Sequence, residues 1–486
     1  MSTTQQLTSS RRELLSTVYE AAFANPFSLD RSRLDMNIAG LGEKSEPDER
    51  LAAAISRVNN FITGLGNFSL NSFAADDRKL VKHALLFSLF HNCIPRMDKL
   101  ISRQIETGDG SCPVPFAANT IGHMTRVGIN DSEAAKFFAL FYQLRRGYRF
   151  ISTSLVGRSS SMRRLRVSLW NNVFTVTPAL YADILWNRME DFSSLILGET
   201  GTGKGAAAAA IGRSGFIPFD TRKNCFQESF TSAFVEINLS QFPESLIESE
   251  LFGHRRGAFT GAVEAHKGVF SMCSPCGAVF LDEIGDVSIP VQTKLLRVLQ
   301  ERTFSPVGSH EKVRFHGRVI AATNKSIDKL RNSGLFRDDF YYRLCSDLIE
   351  MPPLRLRISE NPHELDDLLQ VVVTRISGID DHRLTTHIKQ SILDSVGISY
   401  AWPGNVRELE QCARRILLCG SYTGQNTSTN SAIAKLHAGI DSAKYDTQTQ
   451  LSDYCKHLYA IHGTYEAVAK ISGLDRRTAK KYITMP

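Results

Sequence analysis

A chain of 486 residues with 42% hydrophobic content is long enough for several domains with buried cores, and its net charge of +7 permits a nucleic-acid partner without requiring one. Nine cysteines at irregular spacings argue against a secreted disulfide framework, and the longest apolar runs, such as Ala84 to Phe90, are far too short to span a bilayer. With no continuous apolar leader, a reduced, soluble cytoplasmic protein without a membrane partner is expected.

Residues 1–150 read as a mainly helical N-terminal regulatory domain. "DDRKLVKHALLFSLFHNC" and "NDSEAAKFFALFYQLRRGYRF" place apolar residues at helical spacing, and Asn130 with Glu133 forms a capping box for the second. The rings around Phe137, Phe138 and Phe141 suit a helical core or dimer seam better than a ligand pocket. No receiver-like set of early acidic pair, strand-end Asp and later Lys is present, so phosphorelay control is not expected.

From about residue 154 to 420, strand-like runs alternate with helical ones, the pattern of an α/β domain. "FSSLILGETGTGKGAAAAAIG" joins an apolar run, a glycine-rich turn and a strong helix former. Gly198, Glu199, Thr200, Gly201, Thr202, Gly203 and Lys204 have P-loop spacing: glycines let backbone N–H groups converge on phosphates, and the lysine reaches the β and γ oxygens. Gly205 stands where a magnesium-touching hydroxyl is usual.

The stretch "LFGHRRGAFTGAVEAHKG", residues 251–268, has neither helical period nor strand alternation. Read alone, its Phe-Thr tip between glycines is a turn whose ring plugs a local pocket. Cys273 and Cys276 follow; one such pair without a second is weak zinc evidence, and two free thiols are favoured. "CGAVFLDEIGD" then ends an apolar strand in Asp282 and Glu283. Beside a P-loop, Asp282 suits magnesium and Glu283 suits a general base that polarises water. "FHGRVIAATNKS" closes another strand on Thr323 and Asn324, placed to sense the γ-phosphate or orient water. Arg337 and Arg343 are either surface ion pairs or the cations that phosphoryl transfer requires.

Residues 421–450 have linker composition, with one short helix expected at "SAIAKLH". Residues 451–486 read as three short helices, with Gly463 ending the first and Gly473 turning into the third. Arg476, Arg477, Thr478, Lys480 and Lys481 lie on or beside that third helix, in helix-turn-helix spacing suited to the major groove of double-stranded DNA.

With these residues in place, the chain resembles the AAA+ activators of sigma-54-dependent transcription, the bacterial enhancer-binding proteins, closely over about residues 154–420. "ESELFGHRRGAFTGA" is similar to that family's signature, "WPGNVREL" (402–409) to its second-sensor motif, and the C-terminus to a Fis-type helix-turn-helix. The resemblance implies an AAA+ α/β subdomain over 154–350, a helical lid over 351–420, and ATP with Mg2+ as cofactors. It makes Gly198 to Lys204 the Walker A segment, Asp282 and Glu283 the Walker B acid and base, and Asn238 a restraint on that base. Asn324 and Arg407 become the two sensors, while Arg337 and Arg343 become fingers reaching a neighbouring subunit of a ring, usually a hexamer. Gly257, Ala258, Phe259, Thr260, Gly261 and Ala262 become the contact with sigma-54 RNA polymerase.

Several positions depart from that family. Gly205 replaces a usual Glu, Arg255 a common Glu, Cys345-Ser346 the usual Asn-Val and Leu356 a Glu, and residues 213–232 look like an insertion. The expectation is an ATP-dependent activator that binds upstream DNA and opens sigma-54 promoters. A repressor of the same fold would predict a damaged loop or Walker B, and a protein-unfolding ATPase would lack the Phe-Thr signature.

Overall fold

The computed structural model describes residues 5–397, 399–424 and 446–485. The proposed linker helix at 431–437 lies outside the described residues. Contacts divide the chain into two compact units, one of residues up to 385 with 404–411, the other of 386–403 with the residues from 412 onward.

In the first unit, side-chain caps and amphipathic periodicity produce seven N-terminal helices: α1 (Ser9–Phe23), α2 (Leu29–Ala39), α3 (Pro47–Gly64), α4 (Ala75–Thr107), α5 (Ala117–Arg126), α6 (Asp131–Ser154) and α7 (Ser160–Phe174). Asn130 starts α6 by accepting from the Glu133 N–H at 2.9 Å. The boundary expected at residue 150 therefore falls inside a continuous helix.

A parallel five-stranded sheet follows, built from β1 (Ser194–Leu197), β4 (Phe234–Asn238), β5 (Ala278–Asp282), β8 (Arg318–Thr323) and β9 (Asp347–Glu350) in the order β4-β5-β8-β1-β9. The strands are apolar on both faces, as a sheet covered on both sides requires. Ile196, Phe280 and Ile320 face one hydrophobic cluster, whereas Leu195, Val279 and Ala321 face the other. This alternation is the pleat's period of two. The first cluster is continuous with the N-terminal helices.

Residues 213–232 carry a small antiparallel hairpin, β2 (Phe219–Asp220) with β3 (Cys225–Phe226). Its rings dock on α6: Phe138 meets Phe219 edge-on at 4.9 Å, and Tyr142 stacks on Phe226 at 4.0 Å. Phe138, assigned to a core or seam from sequence, is thus fully buried against residues of the 213–232 segment. A second hairpin, β6 (Thr303–Phe304) with β7 (Val313–Arg314), precedes β8.

The helices around the sheet are α8 (Lys204–Gly212), α9 (Glu244–Phe252), α10 (Ile289–Glu301) and α11 (Asp338–Leu344). Those that follow it are α12 (Leu354–Glu360), α13 (Glu364–Ser377), α14 (His382–Val396) and α15 (Asn405–Cys419).

In the second unit, α16 (Thr447–His462), α17 (Tyr465–Ser472) and α18 (Arg476–Thr484) pack around Cys455, Leu458, Val468 and Ala479. Gly463 and Gly473 end the first two helices in the left-handed conformation, as their spacing predicts. No helix among the described residues is long and apolar enough to cross a membrane.

Candidate functional site

The loop between β1 and α8 carries the P-loop residues to the C-terminal edge of the sheet, where ligands bind in open α/β folds. Gly201 has φ +81, and a Cβ there would lie 2.1 Å from the Gly404 carbonyl, so only glycine fits. Lys204 is buried at the start of α8, with Nζ donating to the Gly198 carbonyl at 3.0 Å and lying 4.0 Å from Glu283. Thr202 closes the turn onto the Glu199 carbonyl at 2.8 Å.

β5 delivers Asp282 and Glu283 opposite this loop. Glu283 adopts φ +55, a left-handed conformation costing a residue with a β-carbon about 1–2 kcal/mol. Its carboxylate accepts from the Asn324 N–H at 3.2 Å, while the Asn324 amide donates to the Thr200 hydroxyl at 2.9 Å. Asn324 therefore bridges the P-loop and the acidic pair. The Asn238 amide donates to Asp282 at 3.3 Å rather than to Glu283, and its oxygen accepts from Ser240.

Burial, and secondarily the Glu283 charge, raise the Asp282 carboxyl above the usual carboxylate range. A divalent cation relieves both effects, so the two acids fit magnesium. Among the described residues no cluster of three metal-ligating side chains occurs.

Thr200 to Gly205, Asn238, Asp282, Glu283 and Arg407 line one cleft of about 680 Å3, a size suited to a nucleotide, whereas Gly198, Glu199 and Asn324 lie outside its lining. Its lining includes the polar or charged Lys204, Asn238, Asp282, Glu283 and Arg407 and the apolar Leu155, Val156, Leu368 and Val372. A Cβ on Gly205 would meet only Phe280 at 3.9 Å, so nothing steric imposes glycine there. Arg337 and Arg343 do not line this cleft. Arg337 forms a bidentate pair with Asp339, and Arg343 donates to the Leu299 carbonyl at 2.8 Å.

Three polar groups that sequence reading did not single out complete the site. Asn405, fully buried at φ +52, donates to Glu199 at 3.2 Å and to the Thr200 carbonyl at 3.1 Å, and accepts from the Leu354 N–H at 2.7 Å. Arg355 adds a bidentate pair to Glu199. The buried Arg357–Glu364 pair, at 2.7 Å, fastens the turn before α7: Glu364 accepts from the Arg158 and Ser159 N–H groups, and Arg357 donates to the Val156 carbonyl. Asn405 lies inside "WPGNVREL", where a polar side chain beside Gly404 was the available signal.

The Phe-Thr segment hangs from α9 as a closed loop. Gly257 (φ +80) donates to the Ala262 carbonyl at 2.8 Å, and His254 and His266 exchange backbone bonds at its base. Phe259 packs edge-on against His254 at 4.9 Å yet stays 38% exposed, and Thr260 is exposed. Val307 donates to the Gly253 carbonyl, and Arg255 pairs with Glu311, both from the segment joining β6 to β7.

Residues 179–350 match the family model described as the sigma-54 interaction domain. Over these residues the chain is similar to that family. The sheet and P-loop accordingly form an AAA+ domain with the predicted α/β fold. Over 308 residues, 62% of this chain, the sequence is 37% identical to a Nif-specific regulatory protein of Azotobacter vinelandii. It is 39% identical over 251 residues, 51% of this chain, to the sigma54-dependent transcriptional activator SfnR of Pseudomonas putida. It is also 39% identical over 264 residues, 54% of this chain, to the DNA-binding transcriptional regulator NtrC of Rhizobium meliloti. The matches span 51%, 63% and 47% of those relatives' own lengths.

Proposed function

We propose that the protein is an ATP-driven activator that binds upstream DNA and remodels sigma-54 RNA polymerase from closed to open complex. One observation carries this reading: a continuous path joins the acidic pair of the cleft to the exposed Phe259–Thr260 tip. Asn238 touches Asp282 at the end of β4, and α9 then leads from the segment after Asn238 directly to Gly253 at the loop base. A change at the acids is thereby delivered to a loop that presents a ring and a hydroxyl to a partner.

In this reading the P-loop N–H groups and Lys204 hold the β and γ phosphates. Asp282 would hold Mg2+, which would supply positive charge against the developing phosphate charge. Glu283, oriented by the Asn324 N–H, takes the proton of the attacking water. Arg407 faces the phosphates from the start of α15. Arg337 and Arg343, turned away from their own cleft, serve a neighbouring subunit's cleft in a homo-oligomeric ring, a hexamer by family resemblance.

On α18, Arg476 pairs with Glu466 at 2.9 Å, and Lys480 lies over the Tyr465 ring. Arg477 and Lys481 are exposed one turn apart, and they and Thr478 are assigned to DNA with those two. The cytoplasm is the compartment this activity requires.

The deciding comparison is wild type against Thr260→Ala for ATP hydrolysis and open-complex formation. The variant is expected to retain most ATPase activity while losing promoter opening. Intact promoter opening in the variant would remove the loop from the mechanism, and absent ATPase in wild type would remove the nucleotide assignment.

A further inference from the structure

Two residues of α6, one helical turn apart, hold three consecutive carbonyls that follow the P-loop helix. Arg146 donates to the carbonyls of Arg213 and Gly215, both at 2.6 Å, and Gln143 donates to that of Ser214 at 2.9 Å. Arg146 is fully buried and makes no ion pair among the described residues; its guanidinium lies 4.6 Å from the Tyr142 ring centroid and 5.7 Å from that of Phe230. A buried cation with no carboxylate at ion-pair distance is costly, and burial pushes its pKa down, offset only in part by Tyr142, Tyr181, Cys276 and Glu228. A methionine of similar length would fill the space without that cost, so packing alone does not account for the charge.

Its position does. α8 has nine residues, so its two ends lie about 13 Å apart. At its N-terminus are the phosphate-binding N–H groups; just past its C-terminus sits Arg146. A cation there opposes the negative end of the helix dipole and raises the potential at the other end, where an anion binds. The hairpin of residues 213–232 stacks on Phe138 and Tyr142 of the same α6 helix that carries Gln143 and Arg146.

We propose that Arg146 is a positioning residue of the nucleotide site, through which the N-terminal helical layer sets nucleotide affinity. This rests on the ATP-binding reading above. Gln143 and Arg146 of α6 then form part of the motor's own framework, and any event that shifts α6 changes the hold on ATP.

The test uses the full chain and a fluorescent N-methylanthraniloyl-ADP titration, with thermal melting alongside. Arg146→Met is expected to weaken binding about tenfold, while Arg146→Lys, which keeps the charge, stays within about threefold. Leu15→Ala, in the fully buried core of α1, is expected to lower the melting temperature without changing Kd. Wild-type affinity in Arg146→Met overturns the proposal, as does equal weakening by Leu15→Ala. If Arg146→Met does not fold, Gln143→Leu releases the Ser214 carbonyl together with the Tyr181 hydroxyl, and an unchanged Kd there overturns it. A wild type that binds no nucleotide overturns the underlying reading and this one together; a wild type that binds beside insensitive variants overturns this one only.

Discussion

The Asn405 side chain donates to the Glu199 carboxylate at 3.2 Å, joining the segment that opens α15 to the second residue of the P-loop. The same amide also satisfies the Thr200 carbonyl and the Leu354 N–H, so a single buried residue ties the phosphate cradle to α12.

Asn405→Ala leaves the buried Leu354 N–H unpaired and puts alanine at φ +52. A loss of about 2–4 kcal/mol is expected in urea unfolding, with a raised KM for ATP. Asn405→Gly separates the two causes, because it relieves the backbone and removes only the amide. Unchanged stability in both variants would mean the contact does not hold the loop.

The Arg255–Glu311 pair ties the Phe-Thr loop to the β6–β7 segment, and a Cβ on Gly308 would come within 2.8 Å of the Ala258 Cβ. Both charges are exposed, so their coupling is worth about 0.2–1 kcal/mol and stability changes little. Arg255→Glu sets two acids face to face. Promoter opening should fall several-fold with ATPase activity retained, and adding Glu311→Arg should recover it. A double variant no better than the single one would show that the pair does not set loop position.

Gly205→Ala tests why glycine follows the P-loop lysine. The added methyl finds only an ordinary contact with Phe280, and helix propensity improves by about 0.5–1 kcal/mol. The variant should melt higher than wild type with an unchanged KM for ATP; a lower melting temperature contradicts the steric argument.

Burial, reinforced by Glu228, pushes the Cys273 and Cys276 thiols up to about 12. At pH 8 only about one part in ten thousand of each is thiolate. Iodoacetamide should therefore label exposed Cys419 well before either, as read by peptide mass spectrometry. Labelling of Cys273 or Cys276 at the Cys419 rate would mean the pair is open to solvent. The two thiols also lack the further ligands that zinc requires among the described residues.

Local chemistry made much of the site readable. Walker-type spacing needs glycines, a lysine and a helix former in strict order, and a strand end needs acids at its edge, so Lys204, Asp282 and Glu283 could be chosen before any fold was known. Gly463 and Gly473 stop helices for the same local reason. Contacts distant in sequence left no such mark. The Glu283 carboxylate is held by Asn324 and faces Lys204, the Asn238 amide turns to Asp282, and Asn405 reaches back across 206 residues to Glu199.

The sequence by itself determined the phosphate-binding loop, the acidic pair and the glycines that bracket the Phe-Thr tip, because each depends on neighbours within a few residues. Only the tertiary structure decided what Arg255 pairs with, why residues 213–232 are present, and where Arg146 sends its charge. Those depend on which surfaces meet after the sheet forms, and a helix such as α6 carries the same pattern whether it ends a separate domain or grips the motor's central helix.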